Sequence, residues 1–288
     1  MAQHRAIGKF QVLGTLGQGA HSTILQIRCQ SDGRQYALKV VPIEGKEDQK
    51  FLDQAQHEFR VGQMLEHPNL IKLYALELQR DWLFRVKKVH LLIEYVNGKT
   101  LDKMPALSVP RLVQIFSRVA AGLQQMHRRG VCHADLKPNN IMLSRSGDVK
   151  ILDYGLAWIK NEPKGRIQGT PEYMAPETVK HFLVDERTDI YNFGATMYRL
   201  TTFRLPPSAI PPPGSPALNA QLFESMLKPV SDFNAEAPRE LSALIGQCLA
   251  FAPIKRPERI SDIAQKLQAL EKRLVRTPED SLETLEWQ

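Results

Sequence analysis

Two glycines and a serine near the start of the chain form a pattern that can bind phosphate. Gly17, Gly19 and Ser22 lie within Gly-Gln-Gly-Ala-His-Ser-Thr-Ile, between two short runs rich in β-branched and apolar residues. Small residues at a turn between strands let backbone N–H groups approach phosphate oxygens closely. The pattern is also typical of an ordinary glycine hairpin, so by itself it leaves both interpretations open.

A lysine and a glutamate downstream carry the charges that a phosphate site needs. Lys39 ends the strand-like segment Tyr-Ala-Leu-Lys, and Glu58 lies in the middle of a predicted amphipathic helix over 47–66. A strand lysine paired with a helix glutamate would hold its ammonium group toward the α- and β-phosphates of a nucleotide. Either residue alone is typical of a surface charge.

Three further motifs follow in order along the chain. They are His-Ala-Asp-Leu-Lys-Pro-Asn-Asn at 133–140, Asp-Tyr-Gly at 153–155 and Ala-Pro-Glu at 175–177. Each short motif can arise by chance, whereas chance does not explain the ordered set at this spacing. The set resembles the catalytic domain of eukaryotic-type (Hanks-type) serine/threonine protein kinases, and the resemblance covers about residues 10–274.

This resemblance implies a role for the polar residues of the motifs. Asp135 is expected to be the base that orients the substrate hydroxyl, and Lys137 to contact the γ-phosphate of ATP. Asn140 and Asp153 are expected to hold Mg²⁺, for which Mn²⁺ can substitute, because carboxylate and amide oxygens are the hard ligands that magnesium prefers. The segment Asp-Leu-Lys-Pro resembles the serine/threonine form of the catalytic loop, so tyrosine is not the expected acceptor.

The resemblance also implies an adenine site. Glu94 and Val96 fall in a segment that resembles the hinge whose backbone hydrogen-bonds adenine. Ile24, Ala37 and Met142 match the positions that sandwich the ring. Core packing alone would equally account for these apolar residues, and only their register relative to the motifs favours adenine.

Three more residues are expected to be structural. Glu177 resembles the acidic end of the activation segment, which pairs in this family with an arginine that matches Arg256. Asp189 resembles the buried residue that anchors the helix beneath the catalytic loop.

The elements that must position these residues divide into two groups. Strand patterns surround a single helix in the first hundred residues, and helical patterns dominate after Asn97-Gly98. We therefore predict an α+β, bilobal protein-kinase fold with a small β-rich N-lobe and a larger, mainly helical C-lobe. The predicted boundaries are a kinase domain at 8–275, an N-lobe at about 8–96, a hinge at about 94–98, a C-lobe at about 99–275 and a polar, loosely held tail at 276–288.

Composition restricts the partners and the compartment. The chain has 43% hydrophobic and 24% charged residues, and its net charge of +7 comes from 38 basic residues spread among 31 acidic ones. Such mixing favours a solvated surface over a dedicated nucleic acid site, although 80–88 is densely basic. The three cysteines show no metal-ligand spacing, and no apolar stretch is long enough to span a bilayer. We expect a cytoplasmic protein with no membrane segment.

Four positions depart from the kinase pattern. Ser22 replaces the third glycine of the phosphate loop, and Tyr154 replaces phenylalanine after the metal-binding aspartate. Gly62 stands where the family usually has leucine, so Gly62→Leu is expected to raise stability if the space is empty. Ala134 replaces an arginine that helps to bind phosphate on the activation segment, and residues 156–168 contain no hydroxyl side chain. We therefore expect the protein to be active without phosphorylation of this segment. The segment would then be ordered by its own packing or by a regulatory partner.

Together these features predict an ATP- and magnesium-dependent serine/threonine protein kinase that acts on protein hydroxyls. They also suggest a bacterial origin. The alternative from another class is a pseudokinase, which binds nucleotide and acts as an interaction module. A small-molecule kinase is a third possibility, disfavoured by the Ala-Pro-Glu motif and Arg256. Labelled ATP, magnesium and a generic protein substrate would separate the three.

Overall fold

The computed structural model describes residues 6–19, 21–163, 168–181, 183–210, 218–285 and 287. They divide into two units. The first unit consists of Met1–Glu66, Ile71–Asn97 and Asp153–Gly155, and the second consists of His67–Leu70, Gly98–Leu152 and Leu156–Gln288. In the part of the chain that the structure describes, every helix is too short or too polar to cross a bilayer.

The first unit is built on one antiparallel sheet with the strand order β1-β2-β3-β4-β6-β5. Short turns join most neighbours, and one of them uses Gly33 at a φ of +69°, which a residue with a Cβ rarely adopts. A single α-helix follows β4. The elements are β1 (Ala6–Ile7), β2 (Phe10–Gly19), β3 (Ser22–Cys29), β4 (Gln35–Pro42), α1 (Gln49–Met64), β5 (Leu73–Arg80) and β6 (Val86–Glu94).

An apolar core joins α1 to this sheet. Leu52 and Ala55 of α1 lie one turn apart on the same helix face, and they pack with Val41 of β4 and Val89 of β6. All four are buried, and Val89 is fully inaccessible to solvent. This packing fixes which face of α1 is turned toward the sheet, and therefore where its polar residues lie.

Gly62 of α1 lies against Leu73 of β5, so the empty space on which the expected stabilisation by Gly62→Leu depends is absent. A Cβ at Gly62 would lie 2.5 Å from Cδ1, 2.7 Å from Cγ and 3.0 Å from Cβ of Leu73. Leu73 is itself buried, with 5% of its surface exposed. The space that the family fills with a leucine on the helix is therefore filled here by a leucine on the strand.

Gly62→Leu is accordingly expected to lower the free energy of unfolding. Overpacking of a core costs about 1–3 kcal/mol or more, which exceeds the gain of about 1 kcal/mol from replacing a helical glycine. Gly246 provides the matched control, because it is also helical and nothing lies within 4 Å of its Cβ position. Urea unfolding should show Gly246→Ala stabilised and Gly62→Leu destabilised. Stabilisation of both would contradict the packing of Leu73.

The second unit is mainly helical, with three short strands in one small sheet and two in another. The α+β class and the division into a β-rich part and a helical part are thus confirmed. Its strands are β7 (Gly98–Thr100), β8 (Val131–Cys132), β9 (Ile141–Ser144), β10 (Val149–Ile151) and β11 (Trp158–Ile159). Its helices are α2 (Val109–Arg128), α3 (Pro176–His181), α4 (Glu186–Thr202), α5 (Ala220–Met226), α6 (Arg239–Cys248) and α7 (Ile260–Leu274).

Helices α2 and α4 form the centre of this unit. Phe116 of α2 and Phe193 of α4 are both fully buried, and their rings meet edge to face with centroids 6.2 Å apart. Offset and edge-to-face aromatic pairs are favoured over stacked ones. Helix α2 begins after Ser108, whose side chain makes no capping hydrogen bond. A rigid, buried helix pair therefore supports the loops that follow α2.

The described part of the polar tail is not loosely held, which corrects the sequence-based expectation. Arg111 Nε and Gln114 Nε2 of α2 donate to the carbonyl oxygens of Ser281 and Asp280, at 3.2 and 2.5 Å. Leu282 is buried, with 4% of its surface exposed. Local polarity suggested a loose tail, but these contacts join residues about 170 positions apart and leave no local signal in the sequence.

Candidate active site

A buried ion pair joins the strand and the helix of the first unit. Lys39 Nζ of β4 lies 2.7 Å from Glu58 Oε2 of α1, and their side chains are 18% and 4% exposed. Burial alone would lower the pKa of Lys39, but the carboxylates of Glu58 and Asp153 raise it above its ordinary value. Lys39 is therefore an ammonium ion at neutral pH, because each nearby negative charge favours the protonated form.

The glycine-containing turn joins β2 to β3, the two strands that precede the strand of Lys39. Gly17 pairs with Ile24, and Gly19 pairs with Ser22. A Cβ at Gly19 would lie 2.9 Å from Ser22 Oγ, so a side chain there would push against the turn. The Ser22 hydroxyl would have to rotate away to admit a Cβ at Gly19, whereas the space around Gly17 is open.

Strand register places three of the predicted nucleotide-binding residues on one face of the sheet. Ile24 lies opposite Lys39, and Ala37 is two residues before Lys39 on the same strand. Directly opposed residues and residues two apart share a face, so Ile24, Ala37 and Lys39 project to the same side. Glu94 ends β6, where its backbone N–H donates to the carbonyl oxygen of Lys72 at 2.9 Å, and Val96 follows it.

The Asp-Tyr-Gly motif also belongs to the first unit. Asp153 has a φ of +62°, and its Oδ1 accepts a hydrogen bond from the backbone N–H of Gly155 at 3.1 Å. Tyr154 is fully buried, and its hydroxyl donates to the carbonyl oxygen of Ile71 at 3.0 Å. Burial raises the pKa of Tyr154 well above its ordinary value, so the hydroxyl stays protonated as a donor. The tyrosine that replaces phenylalanine therefore has the partner that its polar end requires.

In the second unit, the carboxylate of Asp135 is held by two donors. Its Oδ2 accepts from Lys137 Nζ at 2.8 Å, and its Oδ1 accepts from the backbone N–H of Thr170 at 2.7 Å. Lys137 Nζ also donates to the hydroxyl of Thr170. Only 7% of the Asp135 surface is exposed. The carboxylate is therefore fixed in one orientation, and charge-assisted donors make such hydrogen bonds strong.

Asn140 follows on the same loop and is held by one hydrogen bond from its side chain and one to its backbone. Its side-chain nitrogen donates to the carbonyl oxygen of Asp135 at 2.9 Å, and its own carbonyl oxygen accepts from the backbone N–H of Leu152 at 2.8 Å. The amide oxygen of the side chain is the atom that can ligate a metal. Met142 lies two residues further on, in β9 of the same unit.

Asp189 of α4 anchors the backbone of this loop. Its carboxylate accepts from the backbone N–H groups of His133 and Ala134, both at 2.8 Å, and lies 2.9 Å from His127 Nε2. Burial alone would raise the pKa of Asp189, but the hydrogen bond from His127 and the other donors lower it below its ordinary value. The loop needs this anchor because Ala134 has a φ of +64°, a left-handed conformation that costs a residue with a Cβ about 1–2 kcal/mol.

Glu177 and Arg256 form the predicted pair, which is bidentate and buried. Nη1 and Nη2 of Arg256 lie 2.7 and 2.8 Å from the two carboxylate oxygens of Glu177. The guanidinium also lies over the ring of Tyr191, 4.8 Å from its centroid. Because the pair joins α3 to the loop before α7, it fixes the end of the activation segment within the second unit.

The start of the activation segment is held by a short strand pair and an apolar cluster. Trp158 of β11 pairs with Cys132 of β8, and the Trp158 ring packs on a cluster of Cys132, Ala134 and Val184. Trp158 Nε1 donates to the carbonyl oxygen of Glu162 at 2.9 Å. The methyl group of Ala134 thus occupies an apolar contact where the family pattern has a cation. Residues 164–167 of the segment lie outside the described residues.

The structure brings the predicted residues together in two sets, one in each unit. Lys39, Glu58 and Asp153 interact in the first unit, and Asp135 and Lys137 interact in the second. Sequence reasoning missed Thr170 as a partner of both Asp135 and Lys137. No local pattern in the sequence around Thr170 indicates these hydrogen bonds.

Comparison with known proteins identifies the family to which the chain belongs. A family model described as the protein kinase domain matches residues 10–269. The chain therefore belongs to the protein kinase family, as the ordered motifs predicted.

Named relatives agree with this assignment. Serine/threonine-protein kinase Pkn1 of Myxococcus xanthus is 31% identical over 92% of this chain and 38% of its own length. PksC of Streptomyces coelicolor is 28% identical over 86% of this chain and 46% of its own, and PrkC of Bacillus subtilis is 24% identical over 90% and 40%. Both are also named serine/threonine-protein kinases. The chain spans about two fifths of the length of the curated relatives that it matches first.

Proposed function

We propose that the chain transfers the γ-phosphoryl group of ATP to serine and threonine hydroxyls of proteins, within a kinase domain at 8–275. The observation that carries this proposal is the set around Asp135. Lys137 and Thr170 each donate to one oxygen of the Asp135 carboxylate, which fixes its orientation. Each oxygen keeps a second lone pair that can accept a hydrogen bond from an incoming hydroxyl. This orientation supports phosphoryl transfer over a purely binding module, in which no hydroxyl has to be oriented.

The donor sets fit the cofactors that this family uses. Asn140 and Asp153 offer amide and carboxylate oxygens. Mg²⁺ prefers such hard ligands, whereas softer metal ions prefer thiolates. Bound Mg²⁺ would neutralise charge on the phosphate oxygens as the phosphoryl group moves. Lys39 supplies a fixed positive charge toward the α- and β-phosphates, and the turn at Gly17 and Gly19 supplies backbone N–H groups.

The remaining residues of the site have supporting parts in this proposal. Ile24, Ala37 and Met142 contact the adenine ring, and the backbone at Glu94 and Val96 hydrogen-bonds it. Asp135 orients the attacking hydroxyl and accepts its proton, while Lys137 contacts the γ-phosphate. Catalysis here is mainly positioning and electrostatic stabilisation, as is general for phosphoryl transfer.

Incubation with radiolabelled ATP, Mg²⁺ and a generic protein substrate tests the proposal. Wild-type protein is expected to label serine and threonine, and Lys39→Met to lose most transfer because the methionine keeps the length of the side chain without its charge. Because Lys39→Met leaves Glu58 buried without its cation, the double variant with Glu58→Gln controls for stability. Nucleotide binding without labelling in wild-type protein would identify a pseudokinase, and labelling of small metabolites alone would identify a small-molecule kinase.

We also propose that this activity needs no phosphate on the activation segment. Two observations support this proposal: Ala134 lies in the apolar cluster around Trp158 and carries no charge for an anion, and the start of the segment is held by the strand pair of β8 and β11. The Thr170 hydroxyl accepts a hydrogen bond from Lys137, which supports a role in the catalytic loop over a role as a switch.

Phosphatase treatment is expected to leave the rate of the purified enzyme unchanged. The physical reason is that Ala134 carries no charge, so a phosphate on the segment gains no ion pair from this position. The measurement is peptide phosphorylation by treated and untreated enzyme, with mass spectrometry to map any phosphate. A large loss of rate that maps to a site at 153–177 would contradict the proposal.

A further inference from the structure

The hairpin that joins β5 to β6 exposes three large apolar side chains in a row. Trp82 is 85% exposed, Leu83 is 44% exposed and Phe84 is 80% exposed. Among the described residues, no large hydrophobic side chain is more exposed than Trp82. Scattered apolar residues on a surface are ordinary, but a contiguous exposed group of this kind marks an interaction site. None of these residues belongs to the proposed catalytic machinery.

Hydrogen bonds within the hairpin fix the shape of its tip. Asp81 Oδ1 accepts from the backbone N–H groups of Leu83 and Arg85, at 2.9 and 3.0 Å. Backbone bonds run from Asp81 N to Arg85 O and from Phe84 N to Asp81 O, at 2.9 and 3.0 Å. Arg80 Nη1 donates to the carbonyl oxygen of Phe84 at 2.8 Å. The tip is preorganised, and most of its backbone groups already have partners, so its removal from water costs little.

The backbone conformation of Phe84 also supports an interaction site at this tip. Its φ of +60° is in the left-handed region, where glycine or asparagine is favoured and a bulky side chain is an outlier. The conformation costs about 1–2 kcal/mol for a residue with a Cβ. Turn geometry therefore does not explain an aromatic ring at this position, whereas a role for the exposed ring does.

Basic residues flank the apolar tip. Residues 80–88 contain four basic side chains and one acidic side chain, and the acidic one, Asp81, is used within the turn. All four basic side chains are exposed, and within the described part of the chain none of them forms an ion pair with a carboxylate. They are Arg80, Arg85, Lys87 and Lys88. Their charge favours an anionic partner.

The size of the tip decides which partner fits it. Three large side chains offer roughly 500 Å² in total, which is less than the roughly 800 Å² per partner of a stable protein interface. A lipid interface has no such requirement: aromatic rings sit at the level of the headgroups, and each nearby Lys or Arg contributes about 1 kcal/mol at an anionic surface. We propose that this hairpin binds peripherally to anionic phospholipid membranes, with Trp82 and Phe84 inserted and the basic residues on the headgroups.

Vesicle sedimentation tests this proposal with the whole chain. Vesicles of phosphatidylcholine alone and of equimolar phosphatidylcholine and phosphatidylglycerol provide the neutral and anionic surfaces. We expect binding to the anionic vesicles, weakened by salt, and little binding to the neutral ones. Trp82→Ser combined with Phe84→Ser should weaken binding at least about tenfold, since two exposed rings lose their insertion. Each of Arg85→Gln, Lys87→Gln and Lys88→Gln should weaken it about fivefold.

Ile254→Ser provides the matched control, because Ile254 is 77% exposed and lies in the other unit. It should leave vesicle binding unchanged, and all of these variants should phosphorylate a soluble peptide at the wild-type rate. The proposal is overturned if anionic vesicles do not bind, if neutral vesicles bind equally, or if the double variant binds as wild type does. Binding of single-stranded DNA that competes with the vesicles and does not depend on Trp82 and Phe84 would instead indicate a nucleic acid site.

Discussion

Asp153→Asn is expected to lower phosphoryl transfer at least about a thousandfold while the protein remains folded. A metal ion contributes several kcal/mol to stabilising the charge of the transition state, and the variant removes the carboxylate proposed to hold it. The measurement is the rate of peptide phosphorylation at ordinary magnesium, together with the unfolding temperature. Asp153→Ala should be equally inactive.

The backbone at Asp153 makes asparagine the better test than alanine. Asparagine and aspartate tolerate a φ of +62° more readily than alanine does, and the asparagine oxygen can still accept from the N–H of Gly155. Asp32→Asn is the matched control, because Asp32 Oδ1 also accepts from the backbone N–H two residues on, that of Arg34 at 2.9 Å. It should retain full activity. Near wild-type turnover of Asp153→Asn would show that the assignment of the metal site is wrong.

Arg256→Gln is expected to destabilise the protein by about 3–5 kcal/mol, which is a large part of the stability of a typical domain. The guanidinium of Arg256 is completely buried and the carboxylate of Glu177 is 8% exposed, so the variant leaves a buried charge without its partner. Three backbone carbonyl oxygens, those of Arg187, Ala250 and Phe251, also lose their donor. Urea unfolding measures the loss.

An exposed pair in the same unit provides the comparison. Arg273 Nη1 lies 2.9 Å from Glu240 Oε1, but their side chains are 48% and 59% exposed. Water and salt screen such a pair, so Arg273→Gln should destabilise the protein far less than Arg256→Gln does. Replacing both Arg256 and Glu177 by methionine should cost less than Arg256→Gln, because no buried charge remains. Equal costs for Arg256→Gln and Arg273→Gln would contradict the importance of burial.

The sequence predicted the fold class and the identity of the site residues because both depend on local patterns. Runs rich in β-branched and apolar residues predicted strands of the first unit, and helical spacing predicted α1 within a few residues of its observed ends. The pair of Lys39 and Glu58 was also predictable, since a strand lysine and a helix glutamate leave few other partners for buried charges. The motif that contains Asp135 identified its family from residue types alone.

Features that depend on close approach could not be predicted in the same way. The effect of a side chain at Gly62 depends on how closely α1 lies to Leu73, and the sequence alone could not show that Leu73 already fills this space. The hydrogen bonds of Thr170 to the catalytic loop and of the tail to α2 join residues far apart in sequence. No local pattern encodes such contacts.

What the sequence by itself determined was therefore the inventory of chemical groups and the order of the elements that carry them. The tertiary structure decided which groups touch: it turned Ala134 into part of an apolar cluster with Trp158, and it left Trp82 and Phe84 in solvent on a fixed turn. The physical reason is that residue type and periodicity act over a few neighbours. Packing distances, exposure and left-handed backbone conformations are instead set by the whole chain at once.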